Sequence, residues 1–412
     1  MSRTQVGIIG AGPAGLMLGL LLAREGVDSV VLEARDRPYV ESRVRAGHIE
    51  EGVVEALAEV GEDTRLRQEG FFQSSFEVRA GDERHRVPVA QLTGGVGTWM
   101  YSQKELLKDL LGGIDKAGIP ILFEAPVIGV DGVATPRPLI RYAHKRRPGR
   151  LSCDVVVGCD GSYSVARSAI PAANLRFFSH CYPFSWLGIL ADAPPVTTDE
   201  LIYVHHPSGF ALHSFRSQSL TRLYLQTWSS EDPEQWCEED IWRELRRRFR
   251  VHSGWPLNEG KIVQRAEVKL RTLVVSPLRY GNLFLAGDAA HVVPPTAAKG
   301  LNLAVADVRM LAPALADYVH RADPSGVDSY SERALREVWD AVAFSMEMTS
   351  VFHAFPKDRF QAGLQEARLR RLCSSPPYAR TFCEMYAGLS RVRRQSSSYL
   401  QDSHPLAVKG RV

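Results

Sequence analysis

Gly10, Gly12 and Gly15 stand at GxGxxG spacing directly after the apolar residues 6–9, and Glu33 closes a second apolar run at 30–32. This spacing suits a dinucleotide. The first glycine permits a tight turn out of a strand, the second lets backbone approach a pyrophosphate, and the third lets a helix lie close on the sheet. Phosphates at that helix N-terminus meet unpaired N–H groups and the positive end of the dipole. A carboxylate ending the second strand can accept both hydroxyls of an adenosine ribose. Arg43 and Arg45 follow, two apart, and can pair with pyrophosphate oxygens or lie in surface salt bridges. Asp160, in the GCDG of residues 158–161 ahead of Arg167, is a second place where backbone and carboxylate can meet a cofactor, or simply a turn. Asp288 opens a third, followed by the loop and helix start at 294–302, with its free N–H groups. Strand alternation places Ser214 with Arg216 on one face, and Arg222 with Tyr224 on one face of the next strand. Such a face can hold a carboxylate beside an aromatic ring; equally, it can be the polar outer face of a sheet.

These groups need elements to position them. Residues 16–23 read as an apolar helix ended by Gly26, and Val53, Val54, Leu57 and Val60 mark another. Residues 71–100 change to short alternating segments, which predicts strands outside the nucleotide domain. A helix is expected over 103–112, a short buried strand over 121–123, and a strand over 150–158. Residues 183–226 are strand-rich, with Ser217-Gln218-Ser219 as hairpin chemistry. A buried strand at 283–286 leads through a Pro/Gly loop to a helix at Leu303, and the remainder reads as charged helix.

Composition excludes several classes. Hydrophobic content of 45% and charged content of 24% are those of a globular protein with an ample core. A net charge of +3 is too mild to imply a nucleic-acid partner, so the basic clusters at 144–147 and 246–250 read as solvated surface. The 6 cysteines lack CxxC or metal-ligand spacing, which predicts reduced thiols and no metal site. Residues 5–23 are apolar, yet repeated glycines, Pro13 and the Arg24-Glu25-Gly26 exit argue against a signal peptide. No other run approaches a membrane helix, and the expectation is a cytoplasmic protein.

GAGPAG with Glu33, GCDG, and GDAAHVVPP with KGLN occur in one order, joined by the stretch from YPFSWLGILAD to RLYLQ over 182–226. Together they resemble the class A flavin-dependent aromatic hydroxylases, single-component enzymes with one FAD, over nearly the whole chain. The resemblance implies an α/β protein: a Rossmann-like FAD-binding domain at 1–180, with a strand excursion at about 71–100 joining the substrate sheet, then a substrate-binding β-sheet domain at 181–280. Residues 281–412 would form a flavin-contacting segment and a helical C-terminal interface region. It implies FAD contacts at Gly10, Gly12, Gly15, Glu33, Arg45, Gln103, Asp160 and Asp288, with Leu301 and Asn302 at the isoalloxazine and Arg222 holding the mobile flavin. Ser214, Arg216 and Tyr224 would bind a benzoate carboxylate, Tyr203 would touch the phenol oxygen with Tyr386 behind it, and Pro295 would offer its carbonyl near the reacting edge. Arg35, Tyr39, Arg43, Arg167 and Arg271 would meet NADPH or NADH, and no metal is implied.

The implied reaction is hydroxylation of 4-hydroxybenzoate at C3 to 3,4-dihydroxybenzoate, using a reduced nicotinamide and O2 through a flavin C4a-hydroperoxide, in a homodimer without nucleic-acid or membrane partners. Alternatives are the same chemistry on another para-substituted benzoate such as 4-aminobenzoate, a non-catalytic flavin-binding redox sensor using the charged segment 366–394 as an interaction surface, or a dehydrogenase passing electrons elsewhere. The chain departs from its relatives at Gln73, where a histidine ends their proton relay, and at Tyr163, Ala297 and His48. The loop 34–39 also differs, and its Arg35 and Arg37 can pair with a 2′-phosphate.

Overall fold

The structure, a computed structural model, describes residues 2–43, 47–228, 235–252, 254, 257–355 and 358–389. Arg45 and the 390–394 end of the charged segment lie outside the described residues. The opening strand Ser2–Ile9 runs parallel between Ser29–Leu32 and Arg147–Gly158, and Leu283–Leu285 continues the same eight-stranded sheet. Ile8, Val31, Val155 and Val157 are fully buried, as expected where helices cover both faces of parallel strands. The helix Pro13–Arg24 packs between this sheet and the long helix Lys299–Arg321 through Leu16, Met17, Leu18 and Leu22. Glu33, Asp160 and Asp288 all follow the carboxyl ends of parallel strands, the edge at which open α/β sheets take ligands.

A second eight-stranded sheet contains Arg176–Asp192, Leu220–Trp228, Ala211–Phe215 and Glu200–His205, with Ser75–Ala80 pairing parallel to the last. Alternation sorts its faces. Ile202, Val204, Leu223 and Leu225 pack against Ile241, Trp242 and Leu245 of the helix Glu238–Phe249. The opposite face carries Trp186, Tyr203, Leu212 and Tyr224 and is covered by residues of the helices Ser325–Phe352 and Pro376–Tyr386. A small third sheet joins His48–Glu50, Thr98–Met100 and Phe71–Gln73.

Several sequence expectations are corrected. Within 71–100 only Ser75–Ala80 and Glu83–Val87 enter the second sheet; Phe71–Gln73 and Thr98–Met100 pair in the third, because alternation specifies a face but not a partner strand. The strand Ile121–Leu122 is a half-buried sheet edge rather than a buried strand. The helix expected at Leu303 begins at Lys299, after Ala298 turns through φ +52°. Arg248 is buried instead of solvated, donating to the carbonyls of Phe210 and Gln226 at 3.0 and 2.9 Å. Among the described residues no helix is long and apolar enough to cross a membrane.

His353 is fully buried, stacked on Phe184 at 4.7 Å, and accepts the Trp186 indole N–H at 2.6 Å through Nε2. Burial pulls its pKa down to about 3. The unfolded chain titrates this histidine near 6.5, so it binds the proton first as pH falls, and stability drops from about pH 6.5 downward. This one group is expected to cost about 2 kcal/mol by pH 5. Thermal midpoints measured from pH 7 to 5 should fall less steeply in His353→Phe than in the native chain; equal slopes would rule the effect out.

Candidate active site

The glycine cradle has the geometry a pyrophosphate needs. Gly10 turns at φ +104°, and a Cβ on Gly15 would drive into the Gly10 carbonyl. A Cβ on Gly12 would enter open space at the N-terminus of the helix Pro13–Arg24, which no side chain caps. Glu33 is held in place by accepting the N–H groups of Ala11 at 2.8 Å and Arg35 at 2.9 Å, and its remaining lone pairs stay available to ribose hydroxyls. Asp160 Oδ2 accepts the N–H groups of Val165 and Ala166, while Oδ1 is buried without a partner. Gln103 is buried in the first turn of the helix Gln103–Ala117. Asp288 lies in the short 3-10 turn Gly287–Ala289. Leu301 and Asn302 occupy the first turn of Lys299–Arg321, where N–H groups lack intrahelical partners. An unpartnered acid oxygen, an uncapped helix and a cradle that excludes side chains together fit a bound FAD.

Other assigned residues are differently engaged. The Arg167 guanidinium donates to the carbonyls of Ala289 and Ser162, both at 2.8 Å, and so ties two cofactor-side loops together. Arg37 is committed to Asp115 and Glu41 at 2.6 and 2.7 Å, while Arg35 stacks over Tyr39 at 5.2 Å with no ion pair among the described residues. Arg271 lies over the exposed Tyr163 ring at 5.8 Å. Arg43 ends the described stretch ahead of Arg45.

On the second sheet Ser214 faces Arg222, and the row Tyr203, Leu212, Tyr224 crosses three strands on the same face. Tyr203 and Tyr224 are thus two strand spacings apart, ~10 Å. Arg216, half-buried at the end of this face beside Tyr224, donates to Ser214 Oγ and the Phe215 carbonyl, each at 2.9 Å. Burial and the neighbouring Arg222 pull its pKa below the ordinary value. Among the described residues no carboxylate pairs with it. Arg222 covers the Tyr224 ring at 5.2 Å and keeps one buried nitrogen, Nη1, without a partner among the described residues.

At the other end Tyr203 Oη lies 3.4 Å from Tyr386 Oη and 3.5 Å from the Thr296 carbonyl. Burial pushes Tyr203 up to about 12 and Tyr386 well above 10, so both rest protonated. The Pro295 carbonyl accepts Ala298 N–H at 3.0 Å, and the neighbouring Thr296 carbonyl is the one that meets Tyr203. A half-buried cation, a hydroxyl and two phenols therefore line one face and can hold an aromatic acid by its carboxylate.

A family model described as an FAD binding domain matches residues 3–345. A p-hydroxybenzoate hydroxylase of Acinetobacter baylyi is 39% identical over 94% of this chain and 96% of its own length. The chain belongs to the FAD-dependent aromatic hydroxylases. A 3-(3-hydroxy-phenyl)propionate/3-hydroxycinnamic acid hydroxylase of Escherichia coli K12 is 24% identical over 92% of this chain and 68% of its own. The solved p-nitrophenol 4-monooxygenase of Pseudomonas putida DLL-E4 shares the fold at a TM-score of 0.80, with 21% identity over 94% of this chain and 99% of that one. As an FAD-dependent aromatic hydroxylase the chain takes FAD, reduced by NADH or NADPH.

Lys299, Glu50 and Asp307, which the sequence reading did not assign, hold this region together with the assigned Asn302. Lys299 Nζ, buried, reaches Glu50 Oε1 at 2.5 Å and the carbonyls of Met385 and Tyr386 at 2.7 and 2.9 Å. It thereby fastens three distant segments around Tyr386. The Asn302 side chain accepts Glu50 N–H at 2.9 Å and donates to the His48 carbonyl at 3.2 Å, which locks the third sheet to the same helix. Buried Asp307 accepts the Gly287 N–H at 2.8 Å and contacts His291 Nε2 at 2.7 Å, holding the loop that carries Asp288. The available signals were Lys299 within KGLN and a Glu50 alternating with apolar Ile49.

Proposed function

We propose that this hydroxylase converts 4-hydroxybenzoate to 3,4-dihydroxybenzoate. The observation that carries this reading is Arg216, half-buried beside Ser214 and Tyr224 with no carboxylate among the described residues to neutralise it, on the same sheet face as Tyr203 of the Tyr203–Tyr386 pair. The Arg216 fork matches a carboxylate bidentately and fixes one end of the ring. Tyr203 then meets the para oxygen. Bound FAD supplies the activation of O2 and the transfer of one oxygen atom to the ring. The protein's part is to orient the ring, to exclude water, and to draw the phenol proton through Tyr203 to Tyr386, because a phenolate is the better nucleophile. Gly10, Gly12, Gly15, Glu33, Asp160 and Asp288 hold the cofactor in this proposal, and Arg222 steadies it for reduction. The same proposal keeps FAD binding in 1–180, substrate binding in 181–280 and the flavin-contacting segment in 281–412.

Titrating the purified yellow protein with 4-hydroxybenzoate and 4-aminobenzoate, while following the flavin spectrum, NAD(P)H oxidation and product, tests this reading. Oxidation stimulated by 4-hydroxybenzoate with stoichiometric hydroxylated product supports it. Product from 4-aminobenzoate alone would transfer the reading to that acid, since Ser214, Arg216 and Tyr224 read only the carboxylate. Tyr203→Phe is expected to leave binding within about twofold while slowing hydroxylation on the order of 10- to 100-fold. It should also divert reducing equivalents to hydrogen peroxide. An unchanged ratio of product to NAD(P)H consumed would refute the proton role.

A further inference from the structure

In the third sheet His48 and Phe71 both oppose Met100, and Glu50 and Gln73 both oppose Thr98. Opposed residues of antiparallel strands share a face. His48, Glu50, Thr98 and Gln73 therefore point one way, and Ile49, Phe72 and Trp99 the other. Ring contacts agree: Phe72 meets Trp99 at 5.3 Å on the far side, and Phe71 meets Phe215 of the second sheet at 4.2 Å on the near side. On that near side the His48 ring lies edge-on to Tyr386 at 5.2 Å.

Three buried side chains on this face have polar atoms without partners among the described residues: both ring nitrogens of His48, the Gln73 Nε2 and the Thr98 Oγ1. His48 is 4% exposed, Gln73 2% and Thr98 1%. Unpaired buried polar groups are rare, and ordered water or a catalytic role is their ordinary explanation. A seam of such groups beginning at Tyr386 is lined to hold water and conduct a proton. Gln73 can bind a water in that seam but cannot titrate. An imidazole can accept a proton at one nitrogen and release another from its second.

We propose that His48 relays the proton leaving Tyr386 out of the pocket, a role that rests on the hydroxylase reading above. The phenol O–H breaks and its electron pair stays on the substrate oxygen as phenolate. Tyr203 takes the proton while passing its own to Tyr386, Tyr386 passes its own to one nitrogen of His48, and His48 releases a proton from the other to water along Thr98 and Gln73. The charged and titratable neighbours are Lys299 and Arg216, which disfavour imidazolium, Glu50, which favours it, and Tyr386. With burial as the largest cause, His48 is held at about 4 and is neutral between turnovers, as a relay requires.

The test uses the FAD-loaded, oxygen-free enzyme with 4-hydroxybenzoate bound. A stopped-flow pH jump from 6 to 8.5 reads formation of the bound phenolate by absorbance. His48→Asn is expected to slow that step at least tenfold, while FAD content, ligand affinity and the final phenolate fraction change less than twofold. Adding Gln73→His to His48→Asn returns an imidazole to the same sheet face and should recover the rate. An unchanged rate in His48→Asn, or a slow rate that this second substitution does not rescue, overturns the relay. Failure of the functional reading looks different: the native enzyme would load FAD yet show no flavin response to 4-hydroxybenzoate.

Discussion

Arg216→Ala is expected to weaken 4-hydroxybenzoate binding by about two orders of magnitude, about 3 kcal/mol, read by titrating flavin absorbance. The magnitude follows from the site. The guanidinium is half-buried, its hydrogen-bond partners are a hydroxyl and a carbonyl, and the Tyr224 phenol and a second cation, Arg222, sit beside it. A ligand carboxylate transferred there without Arg216 loses a two-point, charge-assisted contact in a poorly solvated place. Arg216→Lys should recover only part of the loss, since an ammonium cannot form the fork. Thermal stability without ligand should change little, because no ion pair within the described protein is broken and repulsion from Arg222 is relieved. Unaltered affinity in Arg216→Ala would remove this residue from the substrate site.

Lys299→Met is expected to destabilise the fold by about 3–5 kcal/mol, the usual cost of leaving one member of a buried ion pair alone. Glu50 would lose the cation 2.5 Å away, and the carbonyls of Met385 and Tyr386 would lose their donor. The effect reaches function because those carbonyls anchor the segment that carries Tyr386. Denaturant unfolding measures the loss, and the double variant Glu50→Gln with Lys299→Met should regain part of it by removing the stranded charge. A single variant within about 1 kcal/mol of the native chain would show that the pair holds nothing together.

The legible parts of the site share one property: their geometry is set within a few residues. Gly10, Gly12, Gly15 and Glu33 can be read because a strand, a turn and a helix follow one another without interruption. Ser214 with Arg216, and Arg222 with Tyr224, can be paired along their own strands because alternation is strict, while the register that brings the two pairs onto one face comes only from the sheet. Arg248 could not be placed, since a run of arginines in an amphipathic helix looks solvated until a sheet supplies carbonyls to its one inward turn. The start of the Lys299–Arg321 helix was obscured by Ala298, whose left-handed φ carries no glycine to announce it.

From its sequence alone the chain determined a dinucleotide cradle, the side chains that share a strand face and membership among flavin hydroxylases, all properties of local order. The tertiary structure decided which sheet face is buried, that Lys299, Glu50 and Asn302 clamp the third sheet to the helix beside Tyr386, and that His48 meets Tyr386. The physical reason is that desolvation belongs to no single residue. A side chain loses water only when segments far apart in the chain close over it, and that loss lowers the pKa of Arg216 and keeps His48 neutral.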